Sequence, residues 1–269
     1  MEAKEQYETC VRALAHFGHD HGFSDFVIGL SGGMDSTLAC VMAVDAFGAD
    51  HVHGVLMPGP YSSSSSIEDA TALAKALGLE TQTVSITPPY ESFLNQFEDN
   101  TLNNLARENI QARCRMVVLM ALSNTFGWMV INTGNKSESY MGYSTLYGDT
   151  CGAFAPLGGL YKTTVYELAR WRNSQKTSPI PDRVFTKPPS AELSENQEDE
   201  KGLGIDYATL DAILIRLIEK GEDEACLVHA GFCPSDIHLV TNRIKAYSFK
   251  RQMEPPYPTE KFYADEVSS

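Results

Sequence analysis

Directly after a short apolar run, Phe26-Val27-Ile28-Gly29-Leu30, the sequence reads Ser31-Gly32-Gly33-Met34-Asp35-Ser36 and then turns helical in pattern. Two glycines let the backbone turn tightly and approach a ligand. The amides that follow sit at a helix N-terminus, where unsatisfied donors and the helix dipole both favour an anion. Residues Gly29 to Ser36 therefore form a candidate phosphate cradle. The loop is neither G-x-x-x-x-G-K-[ST] nor G-x-G-x-x-G. A plain turn with Asp35 or Ser36 as helix cap fits the same residues. Position favours the cradle: it follows the first strand of a parallel sheet, at the edge where ligands bind. Beside phosphates Asp35 would be repelled unless a divalent cation bridged them, so Asp35 reads as a Mg²⁺ ligand.

The elements that must position this loop alternate strand and helix. Apolar positions at helical spacing over 3–17 predict a first helix, and Phe26–Leu30 is a short buried strand. A helix from about Ser36 stops at Gly48, and His51–Met57 is a second strand closed by Pro58-Gly59-Pro60. The serine run Ser62–Ser66 leads into a helix ending at Gly78, and Thr81–Ile86 is a third strand. A long helix from about Leu102 to Phe126 precedes a fourth strand, Trp128–Ile131. Strands separated by helices of this length imply parallel pairing with right-handed crossovers, an α/β doubly wound sheet flanked by helices. After residue 150 come a helix at about Thr163–Arg172, a long irregular segment over 176–204, helices at Tyr207–Lys220 and about Pro234–Phe249, and a proline-rich tail. The reading is one domain over 1–269, with a mobile, lid-like segment at about 187–204 and a C-terminal arm at about 245–269.

Composition narrows the function classes. With 269 residues, 43% hydrophobic and 21% charged, the chain can bury its own core, and disorder, collagen and coiled-coil rods are excluded. Lys+Arg number 21 against 35 Asp+Glu, a formal charge of −14, which argues against a nucleic-acid partner. The basic stretches at 107–115 and 243–251 stand out against that field. Six scattered cysteines without a Cys-x-x-Cys, no apolar leader and no spanning stretch point to a reducing cytoplasm and no membrane. His16, His19 and His21 cluster, but no further ligand has matching spacing, so they read as solvated.

The S-G-G-x-D-S cradle resembles the pyrophosphate loop of the N-type ATP pyrophosphatases, which have a Rossmann-like fold of the adenine nucleotide alpha hydrolase type. Further blocks are similar to NAD synthetases among them: Thr133-Gly134-Asn135-Lys136-Ser137-Glu138, Gly142-Tyr143-Ser144-Thr145, Tyr147-Gly148-Asp149 and Pro156 to Thr163. Lys187-Pro188-Pro189-Ser190-Ala191-Glu192-Leu193, Gln197-x-Asp199-Glu200, Leu203-Gly204-x-x-Tyr207 and Lys250-Arg251 before Pro255-Pro256 continue the likeness over essentially the whole chain. The resemblance implies that Asp35 and Glu138 hold magnesium and that Thr133, Lys162 and Ser190, with the cradle, contact ATP. It further implies that Arg113 and Asp149 bind a deamido-NAD substrate, and that Phe249 and Lys250 reach it in a partner subunit. A lysine that one branch carries before Tyr-Gly-Asp is Leu146 here, an acidic substrate contact is Ala153, and His-Ala-Ala-Glu is Asn135-Lys136-Ser137-Glu138. These departures put individual substrate contacts in question and leave the ATP and metal positions intact.

The implied reaction adenylates the nicotinate carboxylate of deamido-NAD with ATP, releases pyrophosphate, and lets ammonia displace AMP. Glutamine-using relatives carry an N-terminal nitrilase-like domain, and the cradle at residue 29 leaves no room for one, so free ammonia is the expected donor. A homodimer is implied, with the long helix contributing. The alternatives are another adenylating amidotransferase such as a GMP-synthetase-like enzyme, or a nucleotide-binding module without turnover.

Overall fold

The computed structural model describes residues 1–98, 101–175 and 177–264. Four strands form one sheet in the order β3-β2-β1-β4, where β1 is Phe26–Gly29, β2 is Val52–Leu56, β3 is Thr81–Thr83 and β4 is Met129–Val130. All pairings are parallel, with Phe26 opposite both Val52 and Met129. The sheet is therefore a doubly wound parallel sheet, as its sequence pattern predicts.

Side-chain alternation sorts the strands between two layers. Phe26, Ile28, Val52, Leu56, Met129 and Ile131 face one core, while Val27, Val55 and Val130 face the other. The first core is covered by α1 (Ala3–Asp20), α2 (Met34–Phe47), α3 (Ser64–Leu77) and the later helices. The second is covered by α4 (Thr87–Leu94) and α5 (Asn104–Phe126), which contributes Cys114, Met116 and Leu119. Strands this short and this apolar persist because both faces are buried.

After β3 the chain returns through α5 to place β4 on the far side of β1. The strand order thus reverses between β1 and β4, and the crevice outside their C-terminal ends is where such sheets bind ligands. Two helices start there, α2 after β1 and α6 (Lys136–Met141) after β4. The remaining helices, α7 (Lys162–Asn173), α8 (Asp182–Thr186), α9 (Asp199–Leu203), α10 (Tyr207–Leu214), α11 (Glu224–His229), α12 (Pro234–Ala246) and α13 (Ser248–Arg251), close the same end and the first layer.

Differences from the sequence reading have local causes. The third strand is Thr81–Thr83 and not Thr81–Ile86, although Val84 and Ile86 still donate single hydrogen bonds to Leu56 and Pro58. It is an edge strand with all three residues exposed, so its alternation carries no burial signal. Helix α4, an element absent from the sequence reading, begins at Thr87 with Pro88 in its first turn, where a proline's missing N–H costs no helical bond. Helix α10 continues from Leu214 into a π-helical turn, Ile215–Glu219. The segment over 176–204 holds α8 and α9, and Lys176 lies outside the described residues. So do residues 265–269, the end of the expected C-terminal arm. His16, His19 and His21 are all exposed. Among the described residues, no helix is long and apolar enough to cross a membrane.

The backbone at Gly32 is the tightest point of the β1–α2 turn. Its φ is +76°, and a Cβ there would run into the Ser66 carbonyl at the start of α3. Gly32→Ala is expected to cost about 2 kcal/mol or more, since strain and a backbone clash coincide. Chemical denaturation should show this as a lower midpoint with an unchanged slope; a loss under about 0.5 kcal/mol would contradict it.

Candidate functional site

The turn after β1 is held by its own serines. Ser36 Oγ lies 2.9 Å from Ser31 Oγ and donates to the Gly33 carbonyl at 3.2 Å, while Gly33 N donates to Ser31 Oγ at 3.2 Å. Gly33 is the N-cap of α2, so helix begins at Met34 and Asp35 lies in its first turn. A carboxylate there is favoured by the helix dipole. Residues Ser31–Ser36 line a cleft of about 790 Å³. Gly29 and Leu30 lie behind them and line, with Ser31, Thr133 and Ser190, an adjoining cavity of about 210 Å³.

The loop after β4 is fixed by Asn132, whose side chain donates to the Asp149 and Cys151 carbonyls at 2.7 and 2.8 Å and accepts from Gly134 N at 2.7 Å. Asn135 then caps α6. Its Oδ1 accepts from Glu138 N at 3.0 Å while Glu138 Oε2 accepts from Asn135 N at 3.4 Å, a reciprocal capping box. Asn135 Nδ2 also donates to Asp35 Oδ1 at 3.0 Å, which joins the two loops. Glu138 is thus both a helix-starting acid and a site carboxylate, because its other oxygen faces Lys162.

Lys162 opens α7 and is almost wholly buried, with 2% of its surface exposed. Its ammonium pairs with Asp35 Oδ2 and lies 3.5 Å from Glu138 Oε1. Burial works against the charge, but Asp35 and Glu138 outweigh it and hold the lysine well above its ordinary range. Glu138 moves the opposite way to a normal ion pair. Burial, and then Asp35, push its carboxyl up to about 8 despite Lys162. The pocket holds more negative charge than one lysine neutralises. Asp199, at the start of α9, is 5% exposed and raises that excess; its own carboxyl is pushed up by burial and by Asp35.

These two hard carboxylates beside a phosphate-type cradle suit a divalent cation that also takes phosphate oxygens and water. Among the described residues, no group of three or more His, Cys, Asp and Glu is arranged to hold a metal unaided.

The other expected site residues divide. Thr133, Ser190, Asp149 and Lys250 line the large cleft or the adjoining cavity. Asp149 Oδ1 accepts from Thr145 N at 2.6 Å. Lys250 lies in its own chain's cleft, where Nζ donates to the Gly142 and Ser144 carbonyls at 2.8 and 2.6 Å. Phe249 and Arg113 are exposed and line neither space; Arg113 Nε donates to the Leu146 carbonyl at 3.1 Å. Arg115, two residues on, enters the adjoining cavity and donates to the Met57 carbonyl at 3.1 Å. Sequence reasoning missed Asn135 as the link between loops, although Asn-x-x-Glu is a capping-box spacing.

Comparison with known proteins identifies the family. A family model described as NAD synthase matches residues 6–254. A glutamine-dependent NAD(+) synthetase of Thermotoga maritima is 44% identical over 94% of this chain, which spans 44% of that relative's length. The structure of an NH3-dependent NAD synthetase from Campylobacter jejuni matches with TM-score 0.76 and 30% identity, covering 93% of this chain and 96% of that one. An NMN synthetase from Francisella tularensis matches with TM-score 0.80 and 29% identity over the same shares.

The charge imbalance has a measurable consequence. At low pH Glu138 is neutral in both folded and unfolded chains. As pH rises the unfolded chain ionises freely, whereas the folded site resists until about 8. Stability contributed by the neutral carboxyl is therefore lost as pH climbs through that interval. In chelator, thermal unfolding from about pH 5 to about pH 9 should show Glu138→Gln gaining on the wild type as pH rises, with Mg²⁺ narrowing the gap. A gap independent of pH would contradict the assignment.

Proposed function

The chain belongs to the NAD synthase family, and from that premise we propose that it converts deamido-NAD to NAD with ATP and ammonia, through a substrate adenylate. The observation that carries this reading is the Asp35–Lys162–Glu138 cluster at the mouth of a phosphate cradle. A carboxylate does not react with ammonia until its oxygen becomes a leaving group. Transfer of AMP from ATP to that oxygen releases pyrophosphate, and attack by ammonia on the acyl carbon then releases AMP.

Each group has a task in this sequence. The amides of Gly32 to Ser36 receive the phosphates, and Lys162 offsets the charge that gathers on the departing pyrophosphate. Asp35 and Glu138 would hold Mg²⁺, which supplies further neutralisation of the triphosphate when bound. Thr133 and Ser190, which line the cleft, would contact the nucleotide, and Asp149 and Lys250, which line it too, would meet the dinucleotide. Arg113 and Phe249 are proposed to act at its outer edge. No covalent protein nucleophile is required, since positioning and electrostatics carry the reaction. Segment 187–204 is proposed to close over the adenylate and keep water from it.

Exposed apolar side chains on α4 and α5, among them Phe93, Leu105, Val117 and Phe126, support a homodimer built on this face. The six cysteines are all unpaired, which suits the proposed cytoplasmic setting. With the family fixed, a GMP-synthetase-like reaction has no support left, and the competitor is binding without turnover.

Purified protein with ATP, Mg²⁺ and deamido-NAD is expected to form NAD, AMP and pyrophosphate with ammonium. Glutamine is expected to substitute poorly. Turnover with glutamine alone would overturn the nitrogen donor, and turnover with nicotinic acid mononucleotide alone would overturn the dinucleotide. Asp35→Ala should lower kcat by about 10²–10³; unchanged pyrophosphate release would refute the metal and phosphate role.

A further inference from the structure

Helix α7 has no side-chain cap of its own: its N-cap is Tyr161, which makes no side-chain capping bond. Its first amides are nevertheless satisfied, by residues far away in sequence. Lys162 N donates to Ser137 Oγ at 2.8 Å, and Thr163 N donates to Asp211 Oδ2 at 2.8 Å. Ser137 Oγ in turn donates to Asp211 Oδ1 at 2.5 Å. Asp211 comes from α10, Ser137 from α6 and the two amides from α7. Asp211 is 1% exposed and Ser137 fully buried.

One carboxylate therefore spends an oxygen on each side of the pocket. On one side it grips the residue next to Glu138; on the other it grips the residue next to Lys162. Burial raises the Asp211 carboxyl, and the bonds from Ser137 and Thr163 favour its charged form in return. Glu219 bridges the same junction further out, accepting from Lys136 Nζ of α6 as well as from Tyr161, but it engages side chains only and leaves the first amides of α7 to Ser137 and Asp211. Tyr161 OH donates to Glu219 at 2.8 Å, and Tyr161 N donates to Tyr263 OH at 2.9 Å. A carboxylate in a buried core costs free energy unless its position repays it. A hydrophobic residue would fill the space but could not accept from both partners.

We propose that Asp211 is a positioning residue for the reaction: through Ser137 and the Thr163 amide it sets the distance between the Lys162 ammonium and Glu138. The proposal rests on the functional reading above. Asp211 lines neither the large cleft nor the adjoining cavity, so it acts only through placement. Lys162 keeps its charge when Asp211 is altered, and ground-state attraction for ATP survives. What is lost is alignment with the charge that develops as pyrophosphate departs. An error of about 1 Å there can cost about a hundredfold in rate.

Asp211→Asn keeps shape but presents an N–H₂ to one of two donors. It is expected to lower kcat about 10- to 100-fold while the KM for ATP changes less than about threefold. Ser137→Ala, which removes the same bridge from the other end, should lower kcat by a smaller factor. The double variant should be no slower than Asp211→Asn alone, because the residues act as one unit. Amide exchange over 161–164 should quicken in all three variants at a temperature well below their unfolding. A kcat for Asp211→Asn within twofold of wild type would overturn the proposal, as would losses that multiply in the double variant or a rise in KM equal to the fall in kcat. Should wild-type protein release pyrophosphate with another carboxylate acceptor and not with deamido-NAD, the functional reading alone fails. The same kinetic comparison then judges Asp211 on that acceptor.

Discussion

A buried ammonium at the start of a helix is the constraint around which this molecule is organised. Lys162 opens α7, where the helix dipole is positive and disfavours a cation by about 0.3–1 kcal/mol. Burial adds a larger penalty, of several kcal/mol for an unpaired charge. Asp35 and Glu138 together outweigh both objections. They can do so because the sheet reverses its order between β1 and β4, which brings the loops carrying them side by side. The topology and the charge cluster are thus one requirement seen at two scales. Moving β4 to the other edge of the sheet would leave Lys162 without a second partner.

The same pairing leaves the site unsatisfied in a useful direction. Two carboxylates and Asp199 share one lysine, and burial, with Asp35 and Asp199 adding to it, pushes the Glu138 carboxyl up to about 8. At the same time α2, α6 and α7 all begin here, and their first-turn amides favour negative charge. A site that calls for a cation at its carboxylates and an anion at its amides suits a metal–polyphosphate pair better than either alone. Lys162 N and Thr163 N do not serve the ligand, since Ser137 and Asp211 already engage them. The cradle of α2 is therefore the end best placed to receive phosphate, while α7 supplies a side-chain charge.

What the sequence made legible was whatever depends on neighbours in the chain. The apolar run Phe26–Leu30, the glycines after it and the helical stretch beyond predict β1, the turn and α2 to within two residues. Repetition of strand and helix predicts parallel pairing, and the family resemblance assigns Asp35, Glu138 and Lys162 to a common site. Contacts that join distant residues left no such trace. Asn135 reads as a cap, and nothing nearby in sequence shows that its amide also reaches Asp35. Asp211 sits in an otherwise apolar helical stretch whose pattern says only that the face is buried. Arg113 and Arg115 look alike in sequence, yet one half-turn of α5 sends the first to solvent and the second behind the cradle.

The serine run shows how far such convergence goes. Five serines in a row read as a loose turn that caps a helix, and Ser63 does cap α3, accepting from Ser66 N at 3.1 Å. The turn also presses its Ser66 carbonyl against the face of Gly32, which is why no side chain fits there. Its hydroxyls hold the Glu192 carboxylate, with Ser63 Oγ at 2.8 Å and Ser66 Oγ at 2.6 Å, while Ser63 N donates at 3.0 Å. Glu192 has φ +48°, a conformation that a non-glycine residue adopts only when its surroundings hold it. Anchoring Glu192 brings Ser190 to the cleft, two residues earlier, and Asp199 N then closes the segment by donating to Pro189 at 2.9 Å. The cradle, the start of α3 and the segment over the cleft consequently share one patch of small polar side chains. Bulk at Ser66 would push on both α3 and the segment over the cleft, so restriction falls on Ser63 and Ser66, whereas Ser64 is exposed.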